Sequence, residues 1–469
     1  MSSLENQERD RDLSTHSLDR EANIFQFSKL SIVTDDEVAS VTAKQPGKHP
    51  RIVRSPYLQQ GTESSIIIRW ATDAPCQGKV WYSTELSRLG ATVAETTITS
   101  NHKVQLTGLA PDQKYYYAIG TVAGVQQGGT EDYFFVTAPA KDLASEQVRP
   151  IRIWVVGDAG RGNDIAALVR NGYLRFTGNR HTDLWLMLGD NAYDTGTLDE
   201  YQRGVFDIYA KILRSSVLWT AIGNHDAGSA NSLLQTGPYY ELFTLPTQAE
   251  AGGVASGTAA YYSFDYGNIH FICLDSYGSD RTPLTFPLVG GKEGGVMFTW
   301  LSRDVAASDK EWKIAFWHHP PYTKGSHDSD VEAELVEMRE RALPILEAAG
   351  VDLVLGGHSH SYERSYLIDG HYGVSDSFTA QMKRDGGSGR EDESGAYHKP
   401  YQARHAGTVY IVAGTSALAD TVSPHPAMYT SLSIPGSLVL DVHGNRLDAK
   451  FIDEFGEVKD YFTLKKTTT

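Results

Sequence analysis

Hydrophobic and polar positions divide the chain into regions of different character. Over residues 1–50 large apolar residues are sparse and charges of both signs are mixed. That pattern predicts a disordered tail, because too little apolar surface is available to offset the entropy of ordering. Over 51–140 the chain turns to short β-branched and aromatic runs such as "SSIIIRWAT", "GKVWYST", "HKVQLTGL" and "KYYYAIGTV", each closed by turn residues. These predict a small all-β sandwich. Residues 141–150 read as a linker, and 151–465 as an α/β domain in which apolar strands alternate with polar loops and helices. Its strands are predicted at 151–156, 183–188, 217–222, 269–274, 312–317, 351–355 and 408–413. Helices are predicted at 163–176, 198–214, 296–307 and 331–348, with Pro344 kinking the last or ending it early. The stretch 381–400 is Gly-rich and charged, which predicts a mobile loop.

Composition narrows the function classes. The 469 residues are 41% hydrophobic, enough for a substantial core, and carry a formal charge of −16. An acidic surface argues against nucleic acid or an anionic membrane as partner. Apolar runs of about six to eight residues fall well short of the ~20 that a membrane helix needs. A phosphate compound would require a concentrated local positive charge to overcome the global field, and a metal centre would supply one. Cys76 and Cys273 are the only cysteines and fall in different predicted domains, so neither a disulfide framework nor a Cys-based zinc site is expected. The first residues lack an apolar signal core, which points to the cytoplasm for the chain as written. Oligomeric state is left open.

The chemistry lies at the strand exits. The run ending at Val156 is followed by Gly-Asp158, and that ending at Leu188 by Gly-Asp190-Asn-Ala-Tyr193. Ile222 is followed by Gly-Asn224-His225, Trp317 by His318-His319-Pro-Pro, and Leu355 by Gly-Gly-His358-Ser-His360. Each fragment alone makes an ordinary turn or cap. Five in order, each at the carboxyl end of an apolar strand, sit where open α/β sheets place ligand sites. Oxygen and imidazole donors without thiolate suit iron, manganese or zinc. His358 and His360, two residues apart, can reach opposite sides of a two-metal centre from extended or turn backbone. A carboxylate between two ions can bridge them, and such pairs serve in-line phosphoryl displacement. Tyr193, so close to Asp190, is open to three readings: packing, hydrogen-bond donor or ligand.

The series GDxG, GDxxY, GNH, xxxH and GHxH, followed by SYERS, resembles the metallophosphoesterase superfamily and specifically its purple acid phosphatase branch. Leu109, Pro111 and Tyr115 resemble the tyrosine-corner region of fibronectin type III domains, which plant-type members carry ahead of the catalytic domain. The implied architecture is a metallophosphoesterase β-sandwich flanked by helices, preceded by an all-β fibronectin type III-like sandwich. In most of the superfamily the first motif reads D-x-H; here Gly160 stands at the histidine position, and the branch replaces that ligand with the tyrosine of GDxxY. The resemblance implies a ferric ion on Asp158, Asp190, Tyr193 and His360. It implies a divalent iron, zinc or manganese on Asp190, Asn224, His318 and His358, with Asp190 bridging. His318 rather than His319 matches the H-x-P pattern, and Ala315 stands where the family often has valine. The implied reaction is hydrolysis of small-molecule phosphomonoesters by a metal-bound hydroxide, with His225 near the substrate. His327 aligns with a substrate-contacting histidine, while Asp328 replaces a second one. A phosphodiesterase or nucleotidase on the same scaffold and a non-catalytic binding protein are the alternatives. The resembling family is often exported, against the cytoplasmic reading.

Overall fold

The computed structural model describes residues 50–279 and 296–467; the predicted tail lies, apart from Pro50, outside the described residues. Three sheets carry the architecture. Ser65–Cys76, Thr99–Thr107 and a five-stranded sheet around Gly78–Ser83 and Lys114–Thr121 form the all-β N-terminal part. The Tyr115 hydroxyl accepts the Ala110 N–H at 2.9 Å, which ties that strand to the turn before it.

The N-terminal part is joined to the C-terminal part through main chain. Strand Ile52–Gln59 pairs in parallel with Val217–Thr220 at Leu58 and Val217, so one ten-stranded sheet runs through both. Arg69 donates to the carbonyls of Glu241 and Leu242, and the Tyr57 hydroxyl donates to Leu242 as well. Within 141–150, Arg149 forms ion pairs with Asp112 and Asp183, and Val148 is buried.

In the C-terminal part the ten-stranded sheet contributes Ile151–Val156, Leu184–Met187 and Val217–Thr220 side by side and parallel. A seven-stranded sheet contributes Ile269–Cys273, Trp312–Phe316, Leu353–Gly356 and Val409–Ala413, also parallel. The two sheets face each other across one core, where Trp219 stacks on Phe264 at 3.7 Å. Side chains alternate along each strand. Trp312, Ile314 and Phe316 point into this core, whereas Ala315 and Trp317 join a second core under helices Val296–Ala307 and Ala333–Ala348.

Three expectations are corrected. Residues 198–214 do not form one helix. They form an α-helix over Leu198–Tyr201 that widens directly into a π-helix over Gln202–Asp207, followed after an interruption at Tyr209 by a separate helical turn over Ala210–Leu213. The π-helical segment presses Gly204 against Gly160: a Cβ on Gly204 would lie 2.2 Å from the Gly160 carbonyl oxygen. Pro344 does not end its helix early, because Leu343 and Leu346 are buried on either side of it and the helix runs to Ala348. Residues 381–400 form structure instead of a free loop. Tyr397–Pro400 pairs with Val458–Thr467, Glu391 holds Arg446 and Lys465, and the buried Lys399 ammonium donates to the carbonyls of Gly350 and Val351.

Candidate metal centre

The five motifs converge because parallel strands from the two facing sheets end at the same edge of the sandwich. Asp158, Asp190 and His358 each follow a glycine and each adopt left-handed backbone, with φ of +56°, +52° and +65°. For a residue with a Cβ that conformation costs about 1–3 kcal/mol and persists only where surrounding contacts enforce it. Here they do. The His358 N–H donates to Asp158 Oδ2 at 2.8 Å, and the His225 N–H donates to Asp190 Oδ1 at 3.0 Å. The glycines are required by close approach: a Cβ on Gly223 would lie 2.2 Å from Asp190 Oδ1, and one on Gly357 2.6 Å from Asp158 Oδ2.

Donor atoms of Asp158, Asp190 and His318, all buried, lie within 4.8 Å of one another. His318 Nδ1 donates to the Leu188 carbonyl at 2.9 Å, which aims Nε2 at Asn224 Oδ1 (3.0 Å) and Asp190 Oδ1 (3.3 Å). Both nitrogens therefore face acceptors. Burial works against the charged imidazole, but Asp190 outweighs it and holds its pKa at about 9. Burial would also raise Asp190, yet His318 and then His225 keep it well below the usual carboxylate range. Asp158 is pushed well above that range by burial. His360 Nε2 lies 3.8 Å from Asp158 Oδ1, and the Tyr193 hydroxyl donates to the same oxygen at 3.1 Å. Burial, followed by the carboxylates of Asp158 and Asp190, raises the Tyr193 phenol well above its ordinary value. In this cluster, protons on His318 and Tyr193 stand between carboxylates where cations would serve better. Two carboxylates, a phenol, an amide oxygen and three imidazoles without thiolate fit hard or borderline metal ions.

Tyr193 reaches Asp158 because nothing can occupy the place beside it. A Cβ on Gly160 would lie 2.2 Å from the Asn191 carbonyl carbon and 2.4 Å from Ala192 N, so the GDNAY loop fills the space a side chain would need. Arg161 lies over the Tyr193 ring, 4.3 Å from its centroid, and His225 packs 4.4 Å from the same centroid.

The two remaining histidines stand on either side of the cluster. His225 Nδ1 donates to the Asp194 carbonyl at 2.6 Å, leaving Nε2 3.9 Å from Asp190 Oδ2. The His327 ring stacks on His358 with centroids 3.6 Å apart, and its Nδ1 donates to Glu332 at 2.9 Å. Asp328 is engaged by Lys324. His319 packs against His358 with centroids 4.3 Å apart, and its Nδ1 pairs with the Ser276 hydroxyl at 2.8 Å.

All nine sequence-derived site residues thus lie in one neighbourhood, and three further carboxylates belong to it. Asp226 accepts the N–H groups of Gly223 and Asn191 and so bolts two motif loops together. Its place in the GNHD quartet was the available signal. Glu332 accepts from His327 and lies 3.4 Å from His358 Nε2; burial would raise its carboxyl, but His358, the Asp328 N–H and His327 outweigh it and hold its pKa at about 2. Asp420 accepts from His360 Nδ1 at 2.8 Å. Neither residue belongs to a motif.

Known proteins share this organisation. The calcineurin-like phosphoesterase family matches residues 151–362, and the purple acid phosphatase N-terminal domain family matches 54–137. Purple acid phosphatase 23 of Arabidopsis thaliana is 27% identical over 383 residues, covering 69% of this chain and 78% of the relative. Purple acid phosphatase 15 of the same plant is 28% identical over 297 residues, covering 57% of this chain and 50% of its own length. The fold is similar to that of the purple acid phosphatase PPD1 from yellow lupin seeds, with a TM-score of 0.65 at 17% identity over 89% of this chain and 75% of that one. With both family matches in chain order and the five motifs gathered at one edge, the chain carries a calcineurin-like phosphoesterase domain preceded by a purple acid phosphatase N-terminal domain, and it is similar to purple acid phosphatases.

Proposed function

We propose that this protein hydrolyses small phosphomonoesters at a binuclear centre whose ligands are the seven motif residues. The observation that carries the reading is the buried gathering of Asp158, Asp190 and His318 donors within 4.8 Å at the converging strand ends. In this reading Asp158, Asp190, Tyr193 and His360 hold a ferric ion. Asp190, Asn224, His318 and His358 hold a divalent iron, zinc or manganese. Bound there, the ions supply Lewis acidity that acidifies a water nucleophile and neutralises charge on the ester oxygens. Asp190, touching groups from both sets, keeps the two halves in register.

The chain's own residues do the rest. The hydrogen bond from His225 Nδ1 to Asp194 turns Nε2 toward the site, where it can hand a proton to the departing alkoxide. The Glu332 carboxylate does the same for His327, leaving its Nε2 unengaged by that bond. With Asp328 held by Lys324, His327 has no second imidazole beside it in this loop, so leaving-group contact on that side falls to one residue. Arg161, exposed above Tyr193, adds positive charge at a mouth on an otherwise acidic protein.

Metal analysis with a visible spectrum of the purified protein, together with turnover of p-nitrophenyl phosphate, tests the reading. Iron, a tyrosinate band lost in Tyr193→Phe, and activity lowered at least about 10²-fold in Asp190→Asn are expected. A colourless protein with two zinc or manganese ions, unchanged by Tyr193→Phe, would refute the ferric assignment. Full activity in Asp190→Asn would sink the enzyme reading. Faster turnover of the bis ester than of the monoester would favour a phosphodiesterase.

A further inference from the structure

Of the three ligand imidazoles, His318 and His358 are buried while His360 is partly exposed, and three contacts hold it. Its Nδ1 donates to Asp420 Oδ2 at 2.8 Å. The Asp420 N–H donates back to the His360 carbonyl at 2.8 Å. The His360 N–H donates to the Ser326 hydroxyl at 3.0 Å. The segment carrying Asp420 is fixed in turn: the Ser423 N–H donates to the Lys324 carbonyl, and the Asn163 amide donates to the Ala417 carbonyl, both at 2.8 Å. Residue 420 is therefore placed by hydrogen bonds to its backbone neighbours on both sides, one from a side-chain amide and one between main chains, and its carboxylate is aimed at one ring nitrogen.

That arrangement has a chemical consequence. A carboxylate that accepts the Nδ1 proton fixes the tautomer, leaves the Nε2 lone pair as the donor, and makes the ring a stronger ligand. In His360 that Nε2 lies on the Asp158 side, 3.8 Å from Oδ1. We propose that Asp420 is a positioning residue of the metal centre, holding His360 in the tautomer and orientation that bind the ion on the Asp158 and Tyr193 side. The proposal rests on the reading of His360 as a ligand. Asp420 touches neither substrate nor ion; it acts through His360.

The test compares wild type with Asp420→Ala, Asp420→Asn and His360→Ala, each as the full chain. Iron and divalent metal contents are measured, along with the rate at which a chelator removes iron and the visible spectrum. Asp420→Ala should hold iron about 10–100-fold less tightly, the usual cost of losing such a partner, with the divalent ion retained. Asp420→Asn should fall between, because its amide oxygen still accepts the Nδ1 proton but carries no charge. His360→Ala should lose iron most completely. Wild-type iron retention in Asp420→Ala, with iron lost in His360→Ala, overturns the proposal while leaving the ligand reading intact. Wild-type retention in His360→Ala overturns the ligand reading itself. The Asp420 side chain is half exposed, so the metal-free variants should melt with wild type. A lower melting temperature with both metals lost in proportion would assign Asp420 a structural role and overturn the proposal.

Discussion

Gly160→Ala is expected to damage the centre although it adds only a methyl group. Its Cβ would stand 2.2 Å from the Asn191 carbonyl carbon, 2.3 Å from that carbonyl oxygen and 2.4 Å from Ala192 N. All three are backbone atoms, so no side-chain rotation can relieve the collision. On the other side, Gly204 is already pressed against Gly160, since a Cβ at Gly204 would meet the Gly160 carbonyl at 2.2 Å. The GDNAY loop must therefore shift, carrying Asp190 and Tyr193 with it. Overpacking of this kind costs about 1–3 kcal/mol, and collision with main chain places Gly160→Ala at the upper end. At roughly 2 °C per kcal/mol for a domain of this size, the metal-free protein should melt about 6 °C lower. The same shift should weaken iron retention, because the phenol is the atom displaced. Calorimetry of the metal-free variant reads the first effect, and iron content after reconstitution reads the second. Gly90→Ala is the matched control, since its Cβ meets nothing within 4 Å. A Gly160→Ala protein that melts with wild type and holds its iron would refute the claim that the loop occupies the space of a side chain.

Three other perturbations follow from the same contacts. His225→Ala should lower kcat by about 10²–10⁴-fold on alkyl phosphates and much less on p-nitrophenyl phosphate, whose leaving group needs no proton; equal losses on both would remove His225 as proton donor. His371 and His425 are buried beside Tyr322, and burial, followed by Arg339 and by the other histidine respectively, depresses their pKa values to about 4 and about 3. Both are bases depressed in the folded state, so unfolding takes up protons. The stability they allow is complete above their unfolded value near 6.5 and is lost as pH falls toward 4 and 3. A double phenylalanine variant should show a shallower fall of melting temperature between pH 6 and 4, and an unchanged slope would contradict this. Arg364→Met leaves Asp460, which the guanidinium holds at 2.6 and 2.9 Å, buried without its partner; a loss of about 3–5 kcal/mol in denaturant unfolding is expected.

The parts of the fold that were legible share a physical origin. Strands such as Ile151–Val156 and Trp312–Phe316 are buried on both faces, so their apolar runs are continuous and end sharply at the polar site residues. The 198–214 segment misled because the π-helical widening over Gln202–Asp207, which brings Gly204 against Gly160, and the interruption at Tyr209 are features that no α-helical periodicity records. Charge misled at 381–400. Its glycine and ionic residues read as free chain, whereas Glu391 and Arg390 are spent on ion pairs with partners distant or local. The SYERS run was read as a family signature, and its contacts show why those residues are needed. Glu363 accepts from Ser361 and Thr323, while Arg364 pairs with Asp460, so the turn after His360 is anchored on both sides. Asp420 and Glu332 were invisible because a single carboxylate, on an irregular segment or at a helix start, carries no spacing signal.

The order of the centre before any ion binds follows from how its strain is held. Asp158, Asp190 and His358 each sit in left-handed backbone, at a combined cost of several kcal/mol. The bond that holds Asp158 comes from the backbone of His358, on the opposite sheet, and the bond that holds Asp190 comes from the backbone of His225. Asp158 and Asp190 are thus each locked by the main chain of another motif, and His358 by the Asp158 carboxylate. Removal of the Asp158 carboxylate should therefore loosen more than one coordination position: in Asp158→Ala the His358 amide loses its acceptor and the His358–His360 turn its tie to the first sheet. Amide hydrogen exchange at His358 in the metal-free protein measures this directly. Exchange accelerated about tenfold or more in Asp158→Ala, with Val354 and Leu355 unchanged, is the expected result. Unaltered protection at His358 would mean that the turn is held by contacts within its own sheet and loops, such as those with Ser326, Thr323 and Asp420, and that the two sheets are not coupled through the ligands.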